Sequence, residues 1–333
     1  MTTAHVTAVR SVALRMPDLA AAVAFYTDVW HLEVVAQTPQ SAYLRGTGAD
    51  HHLLALHQGA VGGTPEIMFV TLRAASLDAL HAIAHEVIAA GGRVLREVRV
   101  LDATEDPAGG FSVTVRDLDG RVIQVVFNDA QHNMALPRDA TFDTRDTNPR
   151  RTALVIQAPA NAAQQTLKDK PIRLAHVVLN SHAVDETQAF FSRVFGLKLI
   201  DRTAIMAFMN CNADHHSVAI GNSDNDALNH IAFVMPDVDA VMRGAGRMAD
   251  AGLGIQWGPG RHGPGDNTFS YFIDPFGVVI EYTADIEQVG ADYVTGYPDD
   301  WRWRSGRTDQ WGIGKPPSPE LKAAQQAVKF VES

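Results

Sequence analysis

One residue type dominates the chemistry available to this sequence. Fourteen histidines stand beside a single cysteine, Cys211. Histidine is the commonest metal ligand and the usual acid–base side chain near neutral pH, so the question is which of them sit where chemistry needs them. Two lie inside strand-like alternations. In Ile172–Leu179, a period of two puts Ile172, Leu174, His176 and Val178 on one face. In Asn229–Val234, His230 shares a face with Ala232 and Val234. A polar ring on an apolar face needs a partner, because an unpaired buried donor costs free energy.

A carboxylate joins them. Asp274-Pro-Phe-Gly277 reads as a type I turn with proline second, and Gly277 suits the left-handed residue of a bulged three-residue loop. Pairing Asp274 with Val278 then sets Tyr271 opposite Glu281, on one face. A two-residue loop would pair Tyr271 with Ile280 and turn Glu281 away. Within Val278-Val-Ile-Glu-Tyr282, Glu281 is costly to bury unless it is paired or binds a cation. His176, His230 and Glu281 on three separate strands make a two-His-one-carboxylate set, which leaves open positions on Fe(II).

The elements that must position these side chains come in repeats. Phe25-Tyr-Thr-Asp-Val-Trp-His-Leu32 aligns with Phe190-Phe-Ser-Arg-Val-Phe-Gly-Leu197, and Ala49-Asp-His-His52 recurs as Ala213-Asp-His-His216, at an offset of 164–165. Asp117-Leu-Asp-Gly-Arg-Val-Ile-Gln124 matches Asp274–Glu281 at an offset of 157. Each half repeats a coarser unit: a strand, a capped helix, then further strands. Asp18, Ser76, Asp185 and Asp237 open the four helices, and Gly91-Gly92, Gly196 and Gly252 stop three of them. The expected fold is α+β: four tandem βαβββ modules, two per domain, forming two open mixed-sheet barrels with a C-terminal tail or lid. The expected boundaries are an N-terminal domain at 1–130, a linker at 131–170 carrying a short strand at Thr152–Ile156, a C-terminal domain at 171–287 and a tail at 288–333. Transferred by the offsets, His176 falls on Ser11, His230 on Glu66 and Glu281 on Gln124. The first half thus has the scaffold without the ligand set.

Composition narrows the function classes. At 333 residues the chain has room for about two domains. A hydrophobic fraction of 46% with 20% charged residues excludes wholesale disorder. A net charge of −10 argues against nucleic-acid or anionic-membrane partners. One cysteine rules out an internal disulfide and a cysteine-based zinc cluster. With no leader at Met1–Arg10 and no apolar run near eighteen residues, a cytoplasmic location is expected.

Over nearly its whole length the chain resembles the type I extradiol ring-cleavage dioxygenases of the vicinal oxygen chelate superfamily. The likeness rests on Leu174-Ala-His176-Val-Val-Leu, His216-Ser-Val-Ala-Ile220, Asn229-His230-Ile-Ala-Phe, Gly258-Pro-Gly-Arg-His262-Gly and Tyr271-Phe-Ile-Asp-Pro-Phe-Gly-Val-Val-Ile-Glu281, in that order. The resemblance implies metal ligands His176, His230 and Glu281, with Fe(II), or Mn(II) in some members, held in the C-terminal half only. It further implies His216, His262 and Tyr271 as catalytic residues: His216 as acid–base, and Tyr271 and His262 orienting substrate oxygens. The expected reaction opens a catechol-type aromatic diol beside its hydroxyls with O₂, giving a muconic semialdehyde-type product. A homo-oligomer is expected.

Three other readings share the scaffold: a hydroquinone-cleaving dioxygenase, a glyoxalase-like isomerase or lyase with four protein ligands, and a non-catalytic aromatic-ligand binder. His215 is read as a surface or structural residue on the opposite face from His216, His51 and His52 as vestigial counterparts, and Cys211 as a packing residue. Trp257, Arg302, Arg304 and Arg307 are candidate substrate-lid residues. Trp257 stands where carboxylate-substrate branches have arginine, and Val178 is apolar, so a neutral, hydroxylated or alkylated diol is favoured.

Overall fold

The computed structural model describes residues 5–132 and 169–331. The expected strand at Thr152–Ile156 lies outside them. The first half runs β1 (Val6–Met16), α1 (Leu19–Ala24), β2 (Glu33–Thr38), β3 (Ser41–Arg45), β4 (Leu54–Gln58), β5 (Glu66–Ala74), α2 (Leu77–Ala89), β6 (Arg93–Val100), β7 (Phe111–Arg116) and β8 (Val122–Phe127). The second runs β9 (Leu174–Ser181), α3 (Val184–Phe195), β10 (Lys198–Arg202), β11 (Met206–Asn210), β12 (Val218–Asn222), β13 (Leu228–Val234), α4 (Val238–Asp250), β14 (Trp257–Arg261), β15 (Thr268–Ile273) and β16 (Val279–Ala284). A tail adds α5 (Pro319–Ala324) and β17 (Lys329–Phe330). Each half is two βαβββ modules in one open mixed sheet. The strand orders are β2-β3-β4-β1-β5-β8-β7-β6 and β10-β11-β12-β9-β13-β16-β15-β14, the same order twice.

Local chemistry explains most boundaries. Asp18, Ser76 and Asp237 accept the N–H groups of Ala21, Ala79 and Ala240, and Gly196 ends α3 in the left-handed region at φ 73°. Asp185 does not open α3. The helix starts earlier, capped at Ala183, and Asp185 lies in its first turn. There its charge faces the positive helix end rather than bonding an N–H.

Two bulges decide which side chains face which way. Pairing of β9 with β13 shifts between Ala232↔His176 and Phe233↔Leu174, so Ala175 is the extra residue. β1 and β5 carry the same irregularity between Val9 and Ser11, at Arg10. An inserted residue reverses the alternation beyond it. Leu174 therefore packs in the helix-covered core with Val177 and Leu179, while His176 and Val178 face the other side. The single-face reading of Ile172, Leu174, His176 and Val178 is corrected accordingly.

The helix-covered core is continuous between the halves. Trp30 stacks flat on Tyr282, centroids 3.6 Å apart, and Tyr282 Oη donates to the Trp30 carbonyl at 3.1 Å. Tyr26 Oη donates to Asp274 Oδ2 at 2.9 Å, both groups buried. The tail lies along the second half. Gln310 Nε2 donates to the His262 carbonyl and to Asp266 Oδ1, Ser318 N donates to the Gln256 carbonyl, and Val328 O accepts from Leu228 N. β17 then pairs with β5 of the first half. Among the described residues no helix is long and apolar enough to cross a membrane.

Candidate metal centre

On the face of the second sheet away from the helix-covered core, the backbone register lines up one transverse row: His176 on β9, Ala232 on β13, Glu281 on β16, Tyr271 on β15 and Trp257 on β14. The expected Tyr271↔Glu281 pairing is present. It is set by Asp274 N bonding Val278 O at 2.9 Å and by Gly277 at φ 98°. His230 stands two residues along β13 from Ala232 and shares its face by regular alternation, while the shift between Leu228 and His230 turns Leu228 into the helix-covered core.

His176 Nε2 lies 3.3 Å and His230 Nε2 3.2 Å from Glu281 Oε2, and the two Nε2 atoms are 3.4 Å apart. All three side chains are buried. Neither Glu281 oxygen finds a hydrogen bond of proper geometry, although its exposure is 0%. An unsatisfied buried carboxylate is expensive. Two imidazole nitrogens converging on a carboxylate that neither of them hydrogen-bonds are what a divalent cation would satisfy, so the residues fit a metal ion. Burial opposes the charge on Glu281, yet the two imidazoles hold its carboxyl far below the usual range. His230 Nδ1 bonds Asn229 Oδ1 at 2.8 Å, which leaves Nε2 as the ligand atom. A second grouping, Asp119, His182 and Asp226, has His182 exposed and Asp119 already engaged by Arg121 and Thr187.

The other expected residues surround this cluster. His262 Nε2 is 3.1 Å from Tyr271 Oη and 3.8 Å from Glu281 Oε1. The His262 ring stacks on Phe269 at 3.9 Å. Burial, reinforced by the Glu281 charge, raises the Tyr271 phenol well above its ordinary value, keeping it a donor. Burial lowers His262 to about 4 against the opposing pull of Glu281. His216 lies with its ring 4.2 Å from that of His176, and burial together with His176 and His215 lowers it. Val178, Phe208, Ala219 and Met206 form an apolar wall beside them. Trp257 stacks on Tyr271 at 5.0 Å. Arg302, Arg304 and Arg307 are solvent-exposed. Arg302 pairs with Asp299, and Arg307 donates to the Gln310 carbonyl within its own tail.

Two readings need correction. The strand register places Phe69, not Glu66, at the first-half position of His230, since Phe69 pairs with Ala13 as His230 pairs with Val178. A constant offset ignores the insertions between the repeats. Glu66 instead faces Arg15 at 3.7 Å. Of the two roles read for His215, surface or structural, the surface one falls: its exposure is 0%, and Nδ1 lies 3.0 Å from His216 Nδ1 while Nε2 lies 2.6 Å from Asp201 Oδ2. Neither Asp201 nor Asn229 was singled out in the sequence, where both stand in ordinary strand contexts.

The model of the glyoxalase/bleomycin resistance protein/dioxygenase superfamily matches residues 5–125 and 173–282. A solved structure described as an Mn(II)-bound glyoxalase from Novosphingobium aromaticivorans is 32% identical, with a TM-score of 0.77 over 96% of this chain and 94% of that one. Metapyrocatechase 2 of Cupriavidus necator is 38% identical over 138 residues, covering 40% of this chain. That match spans 43% of the relative's own length, so it reaches less than half of it. Homoprotocatechuate 2,3-dioxygenase from Brevibacterium fuscum shares the fold, at 19% identity with a TM-score of 0.79.

Proposed function

The chain belongs to the glyoxalase/bleomycin resistance protein/dioxygenase superfamily, and within it we propose that the protein is an Fe(II)-dependent extradiol dioxygenase acting on a catechol-type aromatic diol. The observation that carries this reading is the convergence of His176, His230 and Glu281 on a face that also holds His216, His262 and Tyr271. A binding protein would need the apolar wall but not three further groups able to hold or move protons. The match to metapyrocatechase 2 supports the same activity.

A metal ion held by His176, His230 and Glu281 would supply Lewis acidity to the vicinal oxygens of the diol and, as Fe(II), electrons for O₂. The protein's own part is binding and proton handling. Val178, Phe208, Ala219 and Met206 offer a flat apolar wall to an aromatic ring. Tyr271, held protonated by burial, donates to a substrate oxygen. Neutral His262, fixed against Phe269, orients that phenol through Nε2. His216 takes a hydroxyl proton and returns one as the ring opens, in the manner of a general acid–base. Both oxygen atoms of O₂ enter the product. The apolar wall and the exposed tail arginines support an uncharged substituent on the diol.

The test is anaerobic loading with Fe(II), followed by oxygen uptake and appearance of a yellow product across substituted catechols and hydroquinones. Uptake with yellow product from a catechol is expected, and His230→Ala should abolish it. Stoichiometric iron without oxygen uptake on any diol would remove the proposal. The full-length likeness to the Mn(II)-bound glyoxalase favours a second reading, a metal-dependent isomerase. Against it, no second carboxylate joins the triad as a fourth ligand among the described residues. Anaerobic turnover of a hemithioacetal by the Mn(II)-loaded protein would decide for that reading.

A further inference from the structure

We propose that Asp201 and His215 are positioning residues for His216: they hold its ring with the proton on Nδ1, so that Nε2 is presented to the metal centre as a hydrogen-bond acceptor. The role of that acceptor in turnover rests on the dioxygenase reading above; the tautomer itself does not.

The three groups form a line leading away from the metal centre. Asp201 is wholly buried at the bulge of β10 and is held from two further sides, by Tyr293 Oη at 2.9 Å on Oδ2 and by Gly296 N at 2.6 Å on Oδ1. A carboxylate accepts, so His215 Nε2, 2.6 Å away, carries the proton of that contact. As the neutral imidazole, His215 would then present only a lone pair at Nδ1. The atom 3.0 Å from that lone pair is His216 Nδ1, which must donate. His216 Nε2 is left bare and has no protein hydrogen bond among the described residues. The ring is further confined by Phe208, at 5.1 Å, and by Gly265, where even a Cβ would come within 3.2 Å of Nδ1.

The duplicated half supplies an internal comparison. His51 Nδ1 and His52 Nδ1 are 3.1 Å apart, so the His–His contact belongs to the repeated loop. Arg10, which can only donate, lies with Nη1 2.5 Å from His52 Nε2 and 3.1 Å from its Nδ1, so the shorter contact makes Nε2 the better-placed acceptor. What differs is the support behind the pair. The residue matching Asp201 is Ala36, since Ala36 pairs with Tyr43 after its bulge just as Asp201 pairs with Phe208. The half that holds the ligand triad has a buried carboxylate behind its histidine pair. The half without the triad folds the same loop without one, so the carboxylate is not a requirement of the fold.

The experiment is two-bond ¹H–¹⁵N correlation spectroscopy on the full chain labelled at histidine and loaded with diamagnetic Zn(II), with His216 assigned through His216→Gln. The expected pattern for His216 is Nδ1–H with Nε2 unprotonated. Asp201→Leu and His215→Phe should lose it, whereas His215→Asn, whose Oδ1 reaches about the place of Nδ1, should keep it. In the Fe(II) enzyme, the first two substitutions should lower kcat by at least about tenfold, a fraction of what an acid–base group contributes. KM and Zn(II) affinity by chelator competition should stay near wild type, and His215→Asn should recover most of kcat. A wild-type His216 protonated at Nε2 would overturn the proposal, as would a His215→Phe enzyme with unchanged tautomer and kcat. Should His216 show the expected tautomer while no diol is turned over, the positioning stands and the dioxygenase reading falls.

Discussion

His230 is held by the residue before it. Asn229 sits at the bulge of β13, its Oδ1 accepts from His230 Nδ1, and its Nδ2 donates to Asn180 Oδ1 at 2.9 Å. Asn180 in turn donates to the Gln325 carbonyl at 2.8 Å, just beyond α5. Groups that orient a ligand from behind commonly contribute 10–100-fold in metal affinity. Asn229→Ala is therefore expected to weaken Zn(II) binding by roughly that factor, measured by competition with a chromophoric chelator. Affinity equal to wild type would show the bond to be idle. At this scale the sequence was legible where a polar residue interrupted an apolar strand, as at His176, His230 and Glu281. It was not legible where meaning comes from a neighbour in space. His215 reads as the outward partner of His216 by alternation, and only the fold reveals Asp201 behind it.

Elements place these residues through register more than through side-chain packing. The hairpin at Asp274–Val278 was readable because proline and glycine occupy the positions its turn requires. The bulges at Arg10 and Ala175 were not, since neither carries a turn residue and both appear only as a shift in pairing. Helix α4 shows how closely an element can be specified from outside itself. A Cβ at Gly244 would lie 2.6 Å from the Tyr282 ring, the ring that stacks on Trp30 of the other half. Gly244→Ala should gain about 1 kcal/mol in helix propensity and lose about 1–3 kcal/mol to overpacking, for a net loss. Urea unfolding should show a lower midpoint, and a raised midpoint would mean that α4 is free to shift outward.

The whole molecule is two copies of one design with opposite contents. In the first sheet the row matching the ligands is Ser11, Thr71, Gln124 and Thr114, with Thr71 Oγ1 donating to Gln124 Oε1 at 3.1 Å. Arg10, the bulge residue that matches Ala175 of the second half, is buried against Asp106 and His52. The halves meet at Tyr26 and Asp274, and the burial of Asp274 there makes stability depend on pH. Burial raises Asp274 to about 6, with the backbone N–H groups of its turn and Tyr26 pulling the other way. The folded chain therefore holds that proton more tightly than the unfolded one. The contribution is fully present below the ordinary carboxyl value near 4 and is lost as pH rises through about 6. Wild type minus Asp274→Asn, compared by urea unfolding at pH 4.5 and 7.5, should shift against wild type by at most about 3 kcal/mol. A difference constant with pH would place the titration elsewhere. The transverse row from His176 to Trp257 also has a bearing on how such a protein changes over generations. Its spacing is dictated by the ladder of main-chain hydrogen bonds, which no surface substitution alters. The loop bearing His262 and the tail from Trp301 onward hang outside that ladder, and the side chains of Met206 and Phe208 stand on it without setting its register. Preference among substrates can therefore drift through these outer parts while the ion's position is inherited intact.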